Sequence, residues 1–88
     1  MLFTERTAAE KRADLRKALA SGKLLRFPGA HAPLVALEVE RHGFDGVYIS
    51  GAALSADLGL PDIGLTTLQE VAQRGRQIAR VTRLPSII

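Results

Sequence analysis

Ser50, Gly51 and Ala52 set a hydroxyl beside successive backbone amides that carry almost no side-chain bulk. A nest of amides of this kind suits a carboxylate. A plain tight turn after a strand has the same composition, so the triplet alone leaves both readings open. Asp62 follows Pro61 and is flanked by Gly64. Its carboxylate suits a metal-bound water or a substrate hydroxyl, and equally a cap on the local turn. Tyr48, just ahead of Ser50, offers a phenol to reacting atoms or packs as an ordinary strand tyrosine. His31 and His42 show no metal-ligand spacing with each other. His31 follows the first strand and could reach the mouth of a site, but fits better a helix start with a local hydrogen bond, and His42, beside Gly43, fits a helix end. Cysteine is absent, which excludes disulfides and thiolate metal sites within the sequence.

The elements that must position these residues follow from capping signals and apolar spacing. Thr7 and Glu10 have capping-box spacing and open a helix expected over residues 7–21, with Leu15 and Leu19 on one face near Ala8 and Ala18. Asp14 and Lys17 can pair on its outer face, and Gly22 stops it. The run 24–27, ended by Pro28-Gly29, reads as a strand entering a loop. A second helix is expected over residues 33–42, with proline in its first turn and Gly43 after its end. Residues 46–50 read as a buried strand of a parallel sheet. Residues 51–65 read as a long glycine-rich loop, and loops of that length are often functional. Thr67 and Glu70 repeat the capping-box spacing and open a helix to about Arg80, with Leu68, Val71, Ala72, Ile78 and Ala79 inward. Residues 84–88 begin a further strand. Helix, then strand-helix, strand-helix, strand is the rhythm of a parallel α/β fold. Three parallel strands in the open would leave unpaired edges, which points to part of a larger barrel.

Composition narrows the function classes. Of the 88 residues, 47% are hydrophobic and 24% charged, an ordinary globular balance. No apolar run is long enough to span a bilayer, and Glu5, Arg6 and Glu10 stand where a signal peptide needs apolar residues. No membrane association and a cytoplasmic location are therefore expected. The net charge of +3 invites a nucleic-acid partner. The basic residues near the N-terminus are interspersed with Glu5, Glu10 and Asp14, so solvated helix faces explain them and no nucleic acid is expected. One rival from that class remains: residues 54–80 read as a helix-turn-helix with Arg74, Arg76 and Arg80 on its second helix. The apolar strands before it have no place in such a domain.

A longer pattern carries a resemblance. The run Gly43-Phe44-Asp45-Gly46-Val47-Tyr48-Ile49-Ser50-Gly51-Ala52, then Leu58-Gly59-Leu60-Pro61-Asp62-Ile63-Gly64 and Thr66-Thr67-Leu68, resembles the early part of bacterial 2-methylisocitrate lyases, of the isocitrate lyase/phosphoenolpyruvate mutase superfamily. The likeness extends from about Leu15 to Ile88. It implies a (β/α)8 barrel of which residues 1–88 are the N-terminal segment of a single domain, with residues 1–22 a helix preceding the first barrel strand. It implies a Mg²⁺-dependent carbon–carbon lyase that splits 2-methylisocitrate, a small tricarboxylate, into pyruvate and succinate in propionate catabolism, assembled as a homo-oligomer, usually a tetramer. Ser50, Gly51 and Ala52 then match the substrate-binding stretch, Asp62 the aspartate near the metal's water shell, and Tyr48 a tyrosine beside the reacting carbons. Isocitrate lyases tend to carry tryptophan after the Ser-Gly pair, and Ala52 leaves room for an extra methyl group. Isocitrate lyase and other enzymes of the superfamily are the alternatives. The family's aspartate-rich metal motif and its Lys-Lys-Cys-Gly-His loop lie beyond the third strand, so the metal ligands are not expected here and the 88 residues alone are expected to be inactive.

Overall fold

The computed structural model describes residues 3–88. The order is α1 (Ala8–Ala20), α2 (Pro33–Arg41), β1 (Val47–Tyr48), α3 (Gly51–Asp57), α4 (Leu68–Ala79) and β2 (Ser86–Ile87). The architecture is mixed α/β. β1 and β2 pair in parallel, with Val47 opposite Ser86 and Tyr48 opposite Ile87, and α3 and α4 form the crossover between them.

Capping fixes where the helices begin. Thr7 and Thr67 each accept a hydrogen bond from the amide three residues on, at 3.1 Å, and Glu10 and Glu70 reach back to the cap amides. A cap of this kind contributes roughly 1 kcal/mol, which is enough to set a boundary. At the other ends, Gly22 and Gly43 take positive φ, the left-handed geometry that stops a helix without a Cβ penalty.

The core lies between the strands and one face of α2 and α4. Ala36, Val39, Val47 and Ile78 join Ala30, Ile49 and Val81, with Val35, Leu37, Phe44 and Leu84 packed around them. Full burial of a side chain such as Ile78 contributes about 1.5–3 kcal/mol. Successive strand residues point to opposite faces. Val47 is therefore in the core, while Tyr48 and its register partner Ile87 stand 44% and 46% exposed on the other side.

Several expectations are corrected. Residues 24–27 join no ladder: Arg26 N donates to the Asp45 carboxylate (2.9 Å) rather than to a strand carbonyl, while Arg26 O accepts Asp45 N (3.1 Å). The backbone pairing of this segment with β1 is a bridge between Gly29 and Tyr48, made by Tyr48 N to Pro28 O (2.9 Å) and Ala30 N to Tyr48 O (2.8 Å). The expected strands 46–50 and 84–88 shorten to two residues each. The expected loop 51–65 opens as α3, because Ser50 caps an alanine-rich run that the glycines had obscured. On α1, Ala8 is exposed, Leu19 is 65% exposed, and the inward group is Lys11. Asp14 pairs with Arg6 rather than Lys17. On α4, Ile78 is buried but Leu68 and Ala72 face solvent. Among the described residues no helix is long and apolar enough to cross a membrane.

Candidate functional site

Tyr48, Ser50, Gly51 and Ala52 form one corner where the chain leaves β1 and turns into α3. The backbone of the corner is held from both sides. Tyr48 is bonded to the Pro28–Ala30 segment, and Ile49 N donates to Ile87 O at 2.8 Å. Ala53 N donates to Ser50 Oγ at 3.2 Å, so Ser50 is the helix cap. That bond uses an acceptor site and leaves the hydroxyl proton free to donate. Gly51 and Ala52 are exposed and occupy the first turn, where amide hydrogens have no partner within a helix. A hydroxyl proton and outward amides on a braced corner can hold a carboxylate without a cationic side chain.

Deeper in α3, the buried Ser55 closes the element on itself. Its hydroxyl donates to Gly51 O at 3.0 Å, and its carbonyl accepts Leu60 N at 2.8 Å. The chain then reaches the exposed turn that holds Asp62, where Ile63 N bonds Pro61 O at 2.9 Å. No hydrogen bond or ion pair joins the Asp62 carboxylate to the corner among the described residues. Tyr48 and the Ser50–Ala52 stretch follow one another along the chain from β1 into α3, and Asp62 lies in the exposed turn after α3. Tyr48 is not packed in the core; its ring lies on the exposed sheet face.

The histidines are peripheral to this corner. His42 Nδ1 lies 2.7 Å from Glu38 O, in keeping with a helix-end role. His31 is exposed, and its carbonyl accepts Arg74 Nη1 at 2.7 Å. The same nitrogen donates to Asp57 Oδ2 at 2.9 Å. Sequence reasoning missed this junction of Arg74, Asp57 and His31. Its members are 17 and 43 positions from Arg74, beyond any helical spacing rule. Among the described residues no three His, Cys, Asp or Glu side chains cluster to hold a metal ion.

The sequence matches the phosphoenolpyruvate phosphomutase family over residues 15–88. It is 57% identical over 88 residues to a probable 2-methylisocitrate lyase 2 of Corynebacterium glutamicum, covering 99% of this chain and 29% of that protein. It is 40% identical over 73 residues to the 2-methylisocitrate lyase of Bacillus subtilis, covering 83% of this chain and 24% of that one. A crystal structure of phosphonopyruvate hydrolase in complex with oxalate and Mg²⁺ superimposes with a TM-score of 0.84 at 38% identity, covering 86% of this chain and 27% of that chain. The chain thus spans less than a third of the length of these relatives. A family match over residues 15–88, joined to a shared fold at 38% identity, leaves one assignment: the chain belongs to the phosphoenolpyruvate phosphomutase family.

Proposed function

We propose that the whole protein is a carbon–carbon lyase that splits 2-methylisocitrate into pyruvate and succinate, and that this chain supplies its carboxylate-holding corner. The observation that carries the reading is the braced Ser50–Gly51–Ala52 turn at the C-terminal end of a parallel strand, where ligands of α/β folds gather. Identity of 57% to a probable 2-methylisocitrate lyase supports the substrate class. The small side chain of Ala52 fits a substrate bearing an extra methyl group.

In this reading residues 1–88 are the first part of a single barrel domain, with residues 1–22 leading into it. Ser50 Oγ–H and the Gly51 and Ala52 amides grip a carboxylate at the pyruvate-forming end. Fixing that end orients the bond to be broken. Loss of the substrate hydroxyl proton lets the oxygen form the pyruvate ketone. The carbon–carbon electron pair leaves with the succinate half as a carbanion, which a general acid protonates. Tyr48 stands on the face where the reacting carbons would lie. Mg²⁺, present with oxalate in the phosphonopyruvate hydrolase crystal, is proposed for the whole protein with ligands outside these residues and Asp62 near its water shell. A cytoplasmic homo-oligomer, a tetramer by family resemblance, completes the proposal.

The helix-turn-helix alternative is not favoured. Its second helix lies in the crossover of a parallel strand pair, and Arg74 is bound to Asp57 and His31. The test is pyruvate release by the whole protein from 2-methylisocitrate, with isocitrate and phosphonopyruvate as comparison substrates. The expected result is preferred turnover of 2-methylisocitrate, lost on chelation of divalent cations. Preferred turnover of either comparison substrate overturns the substrate assignment. The 88 residues alone are expected to release no pyruvate.

A further inference from the structure

α3 carries the candidate corner; its middle is anchored by the buried Leu54 and Ser55, and its C-terminal end is the part those anchors do not cover. It has seven residues, too few for a helix to hold itself together in water. Its last turn has no basic residue. It ends instead on Asp57, a negative charge at the end that the helix macrodipole makes unfavourable for one. A cation from outside the helix would offset that charge.

Arg74 does so from α4. Its Nη1 carries two hydrogens and has two acceptors, Asp57 Oδ2 at 2.9 Å and His31 O at 2.7 Å. The Arg74 side chain is 20% exposed, more sheltered than that of Asp57 at 41%. Charge-assisted bonds of this length are among the stronger ones available to a side chain. The helix that carries Arg74 is itself fixed, by its capping box at Thr67 and by burial of Ile78.

The two acceptors lie on different sides of the corner. Asp57 closes the helix that Ser50 opens. His31 follows Ala30, whose amide bonds Tyr48 O. His31, Ala53, Ala56 and Asp57 together line a shallow cleft.

We propose that Arg74 is a positioning residue, a clamp that ties the His31 loop to the far end of α3 and so sets the geometry of the Ser50–Ala52 corner. The kinetic part of this inference rests on the lyase reading; the structural part does not.

The experiment is Arg74→Ala in the whole protein, read by amide hydrogen exchange and by steady-state kinetics. Expected is faster exchange over residues 51–57 and at His31, with unchanged exchange at Ile78 in α4. Also expected is a KM for 2-methylisocitrate raised roughly tenfold with kcat altered far less, since a misplaced corner weakens ground-state and transition-state binding alike. Arg74→Lys, which keeps the charge but loses the guanidinium geometry, restores part of the KM. Asp57→Asn weakens one arm and serves if Arg74→Ala fails to fold. Its KM effect is non-additive with that of Arg74→Lys. Unchanged exchange over residues 51–57 in these variants overturns the clamp whatever the kinetics. Faster exchange with unchanged KM overturns its role in setting the corner. Faster exchange in a protein whose wild type does not cleave 2-methylisocitrate leaves the clamp standing and removes the substrate reading.

Discussion

The ring of Phe27 occupies the space that a side chain on Gly46 would need. The extended segment before Pro28 is thereby laid directly on the backbone entering β1. Gly46→Ala is expected to drive the ring off and to destabilise the fold by about 1–3 kcal/mol, the usual range for overpacking. Adding Phe27→Ala should cost less than the two single changes together, because the clash is then gone. Denaturation midpoints of the two single variants and the double variant check this.

Lys11 is the inward group of α1, and its Nζ donates to Ala79 O at 2.6 Å, at the end of α4. The bond satisfies one of the carbonyls that a helix terminus leaves open. Lys11→Ala should cost about 1–2 kcal/mol, and Lys11→Met less, since methionine keeps the buried stem.

The Lys11 ammonium also leaves a signature on the alkaline side. Burial first, then the nearby Arg6, hold its pKa below the ordinary 10.5, while Glu40 pulls the other way. In the window just below 10.5 the unfolded chain keeps a proton that the folded chain has released. Stability should therefore rise with pH through that window, and below it the contribution is constant. Urea midpoints measured on the alkaline side should show that rise in the wild type and lose it in Lys11→Met.

Asp45 behaves in the opposite sense. Its carboxylate accepts Arg26 N at 2.9 Å and has Lys23 Nζ at 3.6 Å. The Arg26 amide chiefly, with Lys23, holds its pKa below the ordinary 3.8 against the opposing effect of burial. The contribution of this carboxylate is present above 3.8 and is lost as pH falls through the lowered value. Acid titration followed by exchange at the Arg26 amide should show protection falling in that range. Asp45→Asn should flatten the acid limb and leave neutral behaviour nearly untouched.

Ala52 is exposed in the first turn of α3. Ala52→Trp should fill the room proposed for the substrate methyl group. The expected loss in kcat/KM for 2-methylisocitrate relative to isocitrate is roughly 10- to 200-fold, the range of discrimination that a methyl-sized change supports. Competition between the two substrates measures it. An unchanged ratio would detach Ala52 from specificity.

The sequence made the helix boundaries legible because caps are local. Thr7 with Glu10, Thr67 with Glu70, Gly22 and Gly43 each act within a few residues. The Tyr48 and Ser50–Ala52 stretch was legible for the same reason, being one continuous run at a strand end. What stayed hidden depends on distant partners. Burial of Lys11 rests on a carbonyl 68 positions away, and the Arg74 junction on acceptors 17 and 43 positions away. Leu19 and Leu68 look like core from spacing alone, but no described element covers them. Asp62 was visible as a residue, whereas the helix that lies between it and the corner in sequence was not, because the glycines there suggested a loop.

The bond from Ile49 N to Ile87 O joins the residue just before Ser50 to one near the other end of the chain. Between them lie the whole of α3 and α4. Pairing across such a separation is slow compared with forming a helix. On the ribosome, the cap at Ser50 can form as soon as Ala53 is made, but its strand has no parallel neighbour until Ile87 has been synthesised and has cleared the exit tunnel. A nascent chain shorter than that carries the candidate corner without its brace. A pause before Ile87 has left the tunnel therefore leaves Tyr48 and Ile49 waiting without their partner strand, and a pause after that point gives the pairing time to form.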